Sequence, residues 1–253
     1  MKFTKTILST AVLLTSSLAM ANTYNAEVGL KYTDNGIALL NLQTSPMEDV
    51  STIQLHGIYH FSEVNTADKP LAESAFLGKN SFVRASHSEF DADGGGSADA
   101  QTIGVGFYIP NSIFYVGAEH YKFEDSDDTQ IEVGITPVDG LLISTSYLTE
   151  SDGYEPNVEA KYVRPLANDT AINLEAGYAQ GEDDLDDEIY IAADYYFTNF
   201  FSVGGQVYDY GDGSIYSVRT RYFFNDQFSL SGELSSDNET DDDSFSIGAA
   251  FRF

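Results

Sequence analysis

The sequence contains no cysteine and no tryptophan, and its basic residues are few. The lack of cysteine excludes a disulfide scaffold, a cysteine-ligated metal, a thiol nucleophile and a lipid-anchored cysteine. Only 12 Lys and Arg residues stand against 40 Asp and Glu residues, which gives a formal net charge of -28. Because nucleic-acid binding needs clusters of basic residues at the phosphates, this balance excludes that class of partner.

Proline is also scarce, with 6 residues, whereas aromatic residues make up 13% of the 253 positions. Few prolines and many Tyr and Phe residues favour β-strands, and the length fits one large all-β unit. After residue 21, no segment approaches 18 consecutive apolar residues. A transmembrane helix is therefore not expected.

The first residues have the pattern of a secretory signal. Lys2 and Lys5 precede a short apolar stretch over 7–18, and Ala19-Met20-Ala21 has the spacing of a cleavage site. The apolar stretch is too short to span a membrane. We therefore predict an exported protein with a signal peptide at 1–21 and one domain at 22–253.

Beyond the signal, short runs alternate between apolar and polar residues. In the last ten residues Phe245, Ile247, Ala249, Phe251 and Phe253 share one face. A period of two predicts a strand with one apolar face and one polar or small face. Fourteen segments fit this pattern, near 24–32, 51–62, 81–90, 101–109, 113–123, 130–137, 141–148, 157–164, 171–179, 188–197, 201–209, 214–224, 228–235 and 244–253.

The connections between these segments are alternately short and acidic, which predicts up-and-down antiparallel topology rather than a Greek-key sandwich. Merging or losing two early segments would leave twelve strands instead of fourteen. The short connections are 110–112, 137–140, 198–200 and 225–227. The acidic connections are 91–99, 124–128, 150–155, 182–188 and 237–243.

The positions of the aromatic residues favour a membrane barrel over a soluble sandwich. Rings near strand ends form the two girdles expected at the bilayer interfaces, and strands of about nine residues are long enough to span it when tilted. Since backbone groups in lipid must be paired, the sheet must close. We assign Tyr24, Phe61, Phe107, Phe197, Phe201, Phe224, Phe228 and Phe253 to one girdle, and Tyr32, Tyr178, Tyr216 and Phe245 to the other.

One segment between the second and third strands resembles a motif of a family of small porins from Gram-negative bacteria. The matching residues are Pro70, Leu71, Ala72, Glu73, Ala75, Phe76 and Leu77. Ser74 departs from the alanine that the family often has there. The final strand, which ends at Phe253, resembles the assembly signal of outer-membrane proteins. The resemblance implies an outer-membrane channel, with membrane lipid, lipopolysaccharide and the barrel-assembly machinery as partners.

Two interpretations of this motif segment stay open. It forms either a tethered loop on the periplasmic side or a plug or gate at the barrel mouth.

Charged residues on the polar strand faces are candidates for lining a wet lumen, because buried charges need water or partners. We expect Lys161 and Glu175 to pair. The pore-lining candidates are Arg84, Glu119, Glu159, Lys161, Glu175, Asp194, Arg219, Arg221 and Arg252. Opposed walls, with Arg219, Arg221 and Arg252 facing Glu119, Glu159 and Asp194, would set ion preference. The alternative is that these charges only brace the barrel.

These patterns predict a porin for passive diffusion of small hydrophilic solutes and ions, with a preference for cations because the loops are acidic. The alternatives are a substrate-specific channel and a closed structural or adhesive barrel. We expect a monomer with no enzymatic activity and no cofactor, although His87 would be the first candidate for a catalytic group. We also expect no metal site, since Thr102 replaces the glutamate that completes an EF-hand loop.

Overall fold

The computed structural model describes residues 22–34, 50–92, 96–149, 157–181 and 186–253. The predicted signal peptide and the predicted connection 150–155 lie outside these residues. The strands are β1 (Thr23–Asp34), β2 (Val50–Asn65), β3 (Phe82–Ala92), β4 (Gly96–Tyr108), β5 (Phe114–Phe123), β6 (Ser126–Ile135), β7 (Leu141–Leu148), β8 (Asn157–Pro165), β9 (Ala171–Ala179), β10 (Glu188–Thr198), β11 (Phe201–Asp209), β12 (Ser214–Phe223), β13 (Phe228–Asp237) and β14 (Asp243–Arg252). Between β2 and β3 lie a 3-10 turn (Leu71–Glu73) and a one-turn helix α1 (Ser74–Leu77).

Each strand pairs antiparallel with its neighbours in the chain, and β1 pairs with β14 to close the sheet. The predicted fourteen-stranded up-and-down barrel is confirmed. At the closing seam the backbone N–H groups of Asn25 and Ala26 both donate to the carbonyl oxygen of Phe253, at 2.9 Å each. Closure pairs the first and last strands, which would otherwise be the two edges of the sheet. In the described ranges, no helix is long and apolar enough to cross a membrane.

The two ends of the barrel differ. The short-turn end holds both ends of the described chain, the connection 66–81 and the turns at 109–113, 136–140, 166–170, 199–200 and 224–227. The opposite end, here the loop end, holds the described residues of the acidic connections 91–99, 124–128, 182–188 and 237–243.

Two predicted acidic loops are shorter than expected. Only Glu124 and Asp125 separate β5 from β6, and the β3 and β4 strands extend to Ala92 and Gly96. Antiparallel pairing continues past the apolar region there, because the ribbon satisfies its own backbone hydrogen bonds in water as well as in lipid.

The outer surface of the barrel is an apolar band. Ile191 and Val218 are each 60% exposed and Leu234 is 66% exposed, all in the middle of strands. Rings at the short-turn end touch one another, as in the Phe61–Phe107 and Phe197–Phe201 pairs at 5.3 and 5.6 Å. Such a band bordered by aromatic rings is the surface that a bilayer requires.

Tyr24 was wrongly assigned to the outer girdle. On the β14 side, the N–H groups of Asn25 and Ala26 both donate to the Phe253 carbonyl, which indicates a one-residue bulge in β1, and the β1–β2 register also shifts between Tyr24 and Ala26. A bulge adds one residue and reverses the face of the residues before it. Tyr24 therefore points inward and is only 6% exposed.

At the seam between β7 and β8, the described paired residues include Leu141 opposite Tyr162 and Ser144 opposite Glu159. Next to them the side chain of Asn157 accepts from the Ser146 N–H at 2.8 Å and donates to the Ser146 carbonyl at 2.9 Å. An amide side chain thus takes part in the strand pairing at this point.

The exposed band predicts the cost of a charge on the outer face. The Ile191→Lys variant should lose about 2–4 kcal/mol of unfolding free energy in phospholipid bilayers, because it places an ammonium group in hydrocarbon. Val138→Lys, in the turn 136–140, should change stability by about 0.5 kcal/mol or less. Urea unfolding of the two refolded variants measures the difference. Equal stability of both would contradict a lipid-facing band.

Candidate functional site: the lumen wall and the inner segment

The lumen face of each strand lies opposite the apolar band. All predicted pore-lining residues are on this face, and most of them form ion pairs with each other or with neighbours.

The sector β8–β9 carries the ion pair expected between Lys161 and Glu175. The Lys161 Nζ atom lies 3.2 Å from Glu175 Oε1 and 3.0 Å from Glu73 Oε2. Glu175 also accepts hydrogen bonds from the Asn173 amide, at 2.6 Å, and from the Tyr190 hydroxyl. Two wall residues thus share one network with Glu73, which belongs to the connection between β2 and β3.

In the next sector, an ion pair spans three strands. The Arg219 guanidinium donates to both oxygens of Asp194, at 2.8 and 2.7 Å. In the sheet register Asp194 faces Gly204, and Gly204 faces Arg219. Because Gly204 has no side chain, the two charged groups meet above it.

The same arrangement occurs on the other side of the barrel. Arg84 and Glu119 form an ion pair over Gly104, which lies between them in the register. A Cβ atom at Gly104 would collide with the Glu119 carboxylate. Both pairs therefore depend on a glycine in the intervening strand.

Arg252 lies at the closing seam and is only 3% exposed. Its Nε donates to Glu27 Oε2 at 2.5 Å, and its terminal nitrogen donates to the Leu71 carbonyl at 2.9 Å. The guanidinium carbon lies 4.5 Å from the centroids of both the Tyr24 and Phe223 rings. Arg252 therefore joins β1, β12 and β14 to the connection between β2 and β3.

The expected opposition of a basic and an acidic wall is not what the structure has. Arg221 and Arg252 both bind Glu27, at 3.4 and 2.5 Å, rather than Glu119 or Glu159. In a fourteen-stranded barrel the lumen is wide, so side chains reach partners on nearby strands more easily than partners across it. The charges are therefore arranged as local pairs along the wall.

The residues 66–81, here called the inner segment, cross the opening at the short-turn end. The Leu71 N–H donates to the Asn199 carbonyl at 2.8 Å, and the Tyr196 hydroxyl donates to Glu73 Oε1 at 2.8 Å. Both partners belong to the β10 side of the ring, opposite β2 and β3. The Lys161 Nζ atom also lies 5.2 Å from the Phe76 ring.

The part of the inner segment that leads into β3 is also held by hydrogen bonds. Lys79 donates to Thr136 Oγ1 at 3.0 Å, and Asn80 donates to Ser62 Oγ at 2.9 Å. Leu71, Glu73 and Ser74 are buried, whereas Ala72, Ala75, Phe76 and Leu77 keep part of their surface open. These contacts tie the segment to the barrel opening, as expected both for a tethered loop without a gating role and for a plug or gate.

Sequence analysis missed a group of aromatic residues that face the lumen. Phe223 is one of them, and its position between the lipid-facing Tyr222 and Phe224 is the alternation signal that identifies it. Six others lie together on β3, β4 and β5 and are called the aromatic column. They are Phe82, Phe90, Tyr108, Tyr115, Tyr121 and Phe123.

At the loop end, hydrogen bonds tie the connections to the strands. The Tyr210 hydroxyl donates to both oxygens of Asp237 at 3.0 Å. Desolvation, and next this hydrogen bond to a carboxylate, raise the pKa of Tyr210 to about 12. His87 faces outward, with its Nε2 atom 3.6 Å from Glu89. The residues that the structure describes contain no group of three or more potential metal ligands.

Comparison with known families gives one match. A family described as "Putative general bacterial porin" matches residues 1–135 and 138–253. A comparison with curated proteins found no match.

Solved structures with a similar fold include the outer membrane protein Omp33 of Acinetobacter baumannii. It is 21% identical, with a TM-score of 0.76 over 91% of this chain and 99% of that one. The KdgM porin is 9% identical, with a TM-score of 0.49 over 90% and 99% of the two chains. A triple mutant of the Rhodopseudomonas blastica porin is 13% identical, with a TM-score of 0.45 over 91% and 99%. The Omp33 likeness supports the barrel fold.

The glycine between Asp194 and Arg219 yields a test of the wall. A Cβ atom at Gly204 would lie 2.6 Å from the Ala193 carbonyl oxygen and would collide with Asp194. Gly204→Ala should therefore cost about 2 kcal/mol of unfolding free energy, because it separates a largely buried ion pair. Gly232→Ala is the control, since its Cβ would have no neighbour closer than 3.8 Å. Urea unfolding that gives the same stability for both variants would contradict this account.

Proposed function

The chain belongs to the family of general bacterial porins and is a channel protein of the bacterial outer membrane, and we propose that it conducts small hydrophilic solutes and ions by passive diffusion. In this proposal the lumen prefers cations, and the inner segment is its gate. No chemical step and no cofactor is involved.

The observation that carries the proposal is the polarity of the lumen wall. Charged groups and hydroxyls line a closed sheet whose outer face is apolar, and such groups require water or partners. Beside the ion pairs, the lumen face of β12–β14 carries small residues, which leave space in the passage. The small residues are Ser217, Ser229, Ser231, Ser235, Ser246, Gly248 and Ala250.

The cation preference rests on carboxylates that lack a basic partner. Within the part of the chain that the structure describes, no Lys or Arg nitrogen lies within 4.0 Å of the carboxylates of Glu159 or Glu233. Both face the lumen. An unneutralised carboxylate in a confined passage attracts cations and repels anions.

The proposal of a gate rests on the contacts that hold the inner segment. Its contacts with the β10 side are few and discrete, with Tyr196, Asn199 and Lys161 as the partners. A segment held by a few hydrogen bonds across an opening can alternate between a seated and a released state. The seated state would restrict the short-turn end.

A closed structural or adhesive barrel is the second candidate function. It is favoured by the same crossing of the opening, if the inner segment never leaves its seat. In both cases we propose that the protein acts as a monomer, contacts lipid and lipopolysaccharide with its apolar band, and is inserted by the barrel-assembly machinery through β14 and the adjacent Phe253.

Planar-bilayer recordings test conduction and ion preference. In a KCl gradient, the refolded protein should show channel openings. The sign of their reversal potential should show that K⁺ permeates more readily than Cl⁻. Glu159→Gln should lower the ratio of K⁺ to Cl⁻ permeability by about twofold, because it removes one lumen charge.

The control for this variant is Asp226→Asn, which removes a charge from the turn 224–227 and should leave the ratio unchanged. Anion preference in the unmodified protein, or equal ratios in both variants, would refute the cation proposal. Correctly folded protein that conducts neither alone nor with a loosened gate would refute the channel itself.

The gate is tested by Tyr196→Phe, which removes the hydroxyl that donates to Glu73 and keeps the ring. A hydrogen bond to a charged group contributes about 1.5–3 kcal/mol, so the ratio of open to closed time should rise about tenfold or more. Single-channel dwell times in a planar bilayer measure this ratio.

Tyr195→Phe is the matched control, because Tyr195 is the next residue on the same strand and faces lipid. It should leave the dwell times unchanged. If Tyr196→Phe also leaves them unchanged, the inner segment is a fixed part of the wall and the gate proposal fails.

A further inference from the structure

The aromatic column extends along one side of the lumen, from the loop end to the short-turn end. Phe90 and Phe123 lie at the loop end, with ring centroids 6.0 Å apart. Tyr108 and Tyr115 lie at the short-turn end, with centroids 4.9 Å apart. Tyr121 lies between the two pairs on β5, one lumen-facing position below Phe123.

These rings do more than fill the inside of the barrel. Only Tyr115 is buried, at 6% exposure, whereas the other rings of the column keep part of their surface open to the lumen. Gly106 leaves space for two of them, since a Cβ atom there would lie 2.6 Å from the Tyr115 hydroxyl oxygen and 2.7 Å from the Phe82 ring. The absence of a side chain at Gly106 thus makes room for two rings of the column.

Neutral polar groups and one ion pair accompany the column. The Tyr121 hydroxyl donates to Gln130 Oε1 at 3.0 Å, and Gln130 donates to Ser146 Oγ at 2.8 Å. The Arg84–Glu119 pair lies between Tyr121 and the lower rings. The Arg84 and Glu119 charges cancel each other, and the Glu132 carboxylate beside the Tyr115 hydroxyl adds one charged acceptor at the short-turn end. Donors and acceptors for the hydroxyl groups of a solute therefore lie along the column.

The strands across from β5 and β6 have a complementary character. There β12 and β13 carry hydroxyls, as in the Ser217–Ser235 hydrogen bond at 2.9 Å, beside the Arg219–Asp194 pair. A solute that moves along the rings of β5 would touch ring faces on one side and these polar groups on the other.

This combination matches one class of solute. An aromatic face carries a negative quadrupole, so it attracts the C–H groups on the flat side of a sugar ring. The hydroxyls at the edge of the same sugar find donors and acceptors in Gln130, Arg84 and Glu119. A small ion uses none of the rings, and a purely apolar solute leaves the polar groups unsatisfied.

We propose that the aromatic column is a binding track for neutral saccharides, which stack on Tyr121, Phe123 and Tyr108 as they pass. This inference rests on the proposed channel function and names one class of solute for it. The track binds weakly, because a diffusion path must release its solute.

Saturation-transfer-difference NMR on the full refolded protein, in micelles of a zwitterionic detergent that contains no sugar, tests this assignment with maltose as the probe. Irradiation of the aromatic protons of the protein should transfer saturation to the ring C–H protons of maltose. The acyclic polyol mannitol, which has no ring face, should receive at least fivefold less.

Variants identify the rings from which saturation is transferred to maltose. Tyr121→Ala should reduce it about fivefold, Phe123→Ala should reduce it similarly, and Tyr121→Phe, which keeps the ring, should preserve it. A loss of one stacking contact of about 1 kcal/mol corresponds to this factor. Tyr216→Ala is the matched control, because Tyr216 is 51% exposed on the lipid face. The mobility of each variant in gel electrophoresis, with samples that have not been boiled, confirms that the variant is folded.

Equal transfer to maltose and mannitol, or equal transfer in Tyr121→Ala and Tyr216→Ala, would overturn the saccharide track. The NMR experiment requires no ion flow. Conducting protein without saturation transfer therefore refutes this inference alone, and saturation transfer in protein that never conducts refutes the channel alone.

Discussion

Every backbone N–H and C=O in a hydrocarbon layer must find a partner, and this constraint determines the rest of the structure. It requires a closed sheet, so β1 must meet β14, and the carbonyl of Phe253 accepts two N–H groups at that junction. Arg252 lies beside the same junction and binds Glu27 on β1 and the Leu71 carbonyl in the inner segment. Closure of the barrel and seating of the inner segment thus depend on neighbouring residues of one strand.

The lumen wall shows how charges coexist with an open passage. The Asp194–Arg219 and Arg84–Glu119 pairs each lie flat over a glycine of the strand between them. Each pair is satisfied within the wall and does not reach across the lumen. In our proposal, carboxylates without a basic partner, such as those of Glu159 and Glu233, make the passage prefer cations.

The sequence predicted the barrel well because strand alternation is a local signal with a fixed period. The Lys161–Glu175 pair was also predictable, since both residues lie on adjacent strands at similar depth. The contacts of Glu73 and Arg252 were not, because they join residues far apart in the chain. Tyr24 was misplaced because a bulge reverses the alternation without a sequence signal. The roles of the charged residues in conduction remain predictions.

The Asn157 side chain, beside the β7–β8 seam, lies where a backbone rung would otherwise lie. Its amide accepts from the Ser146 N–H and donates to the Ser146 carbonyl. Only a side chain that has both a donor and an acceptor can make this pair of bonds. A carboxylate at position 157 would keep the acceptor but set a negative charge against the Ser146 carbonyl oxygen, so one altered group would turn an attraction between two strands into a repulsion.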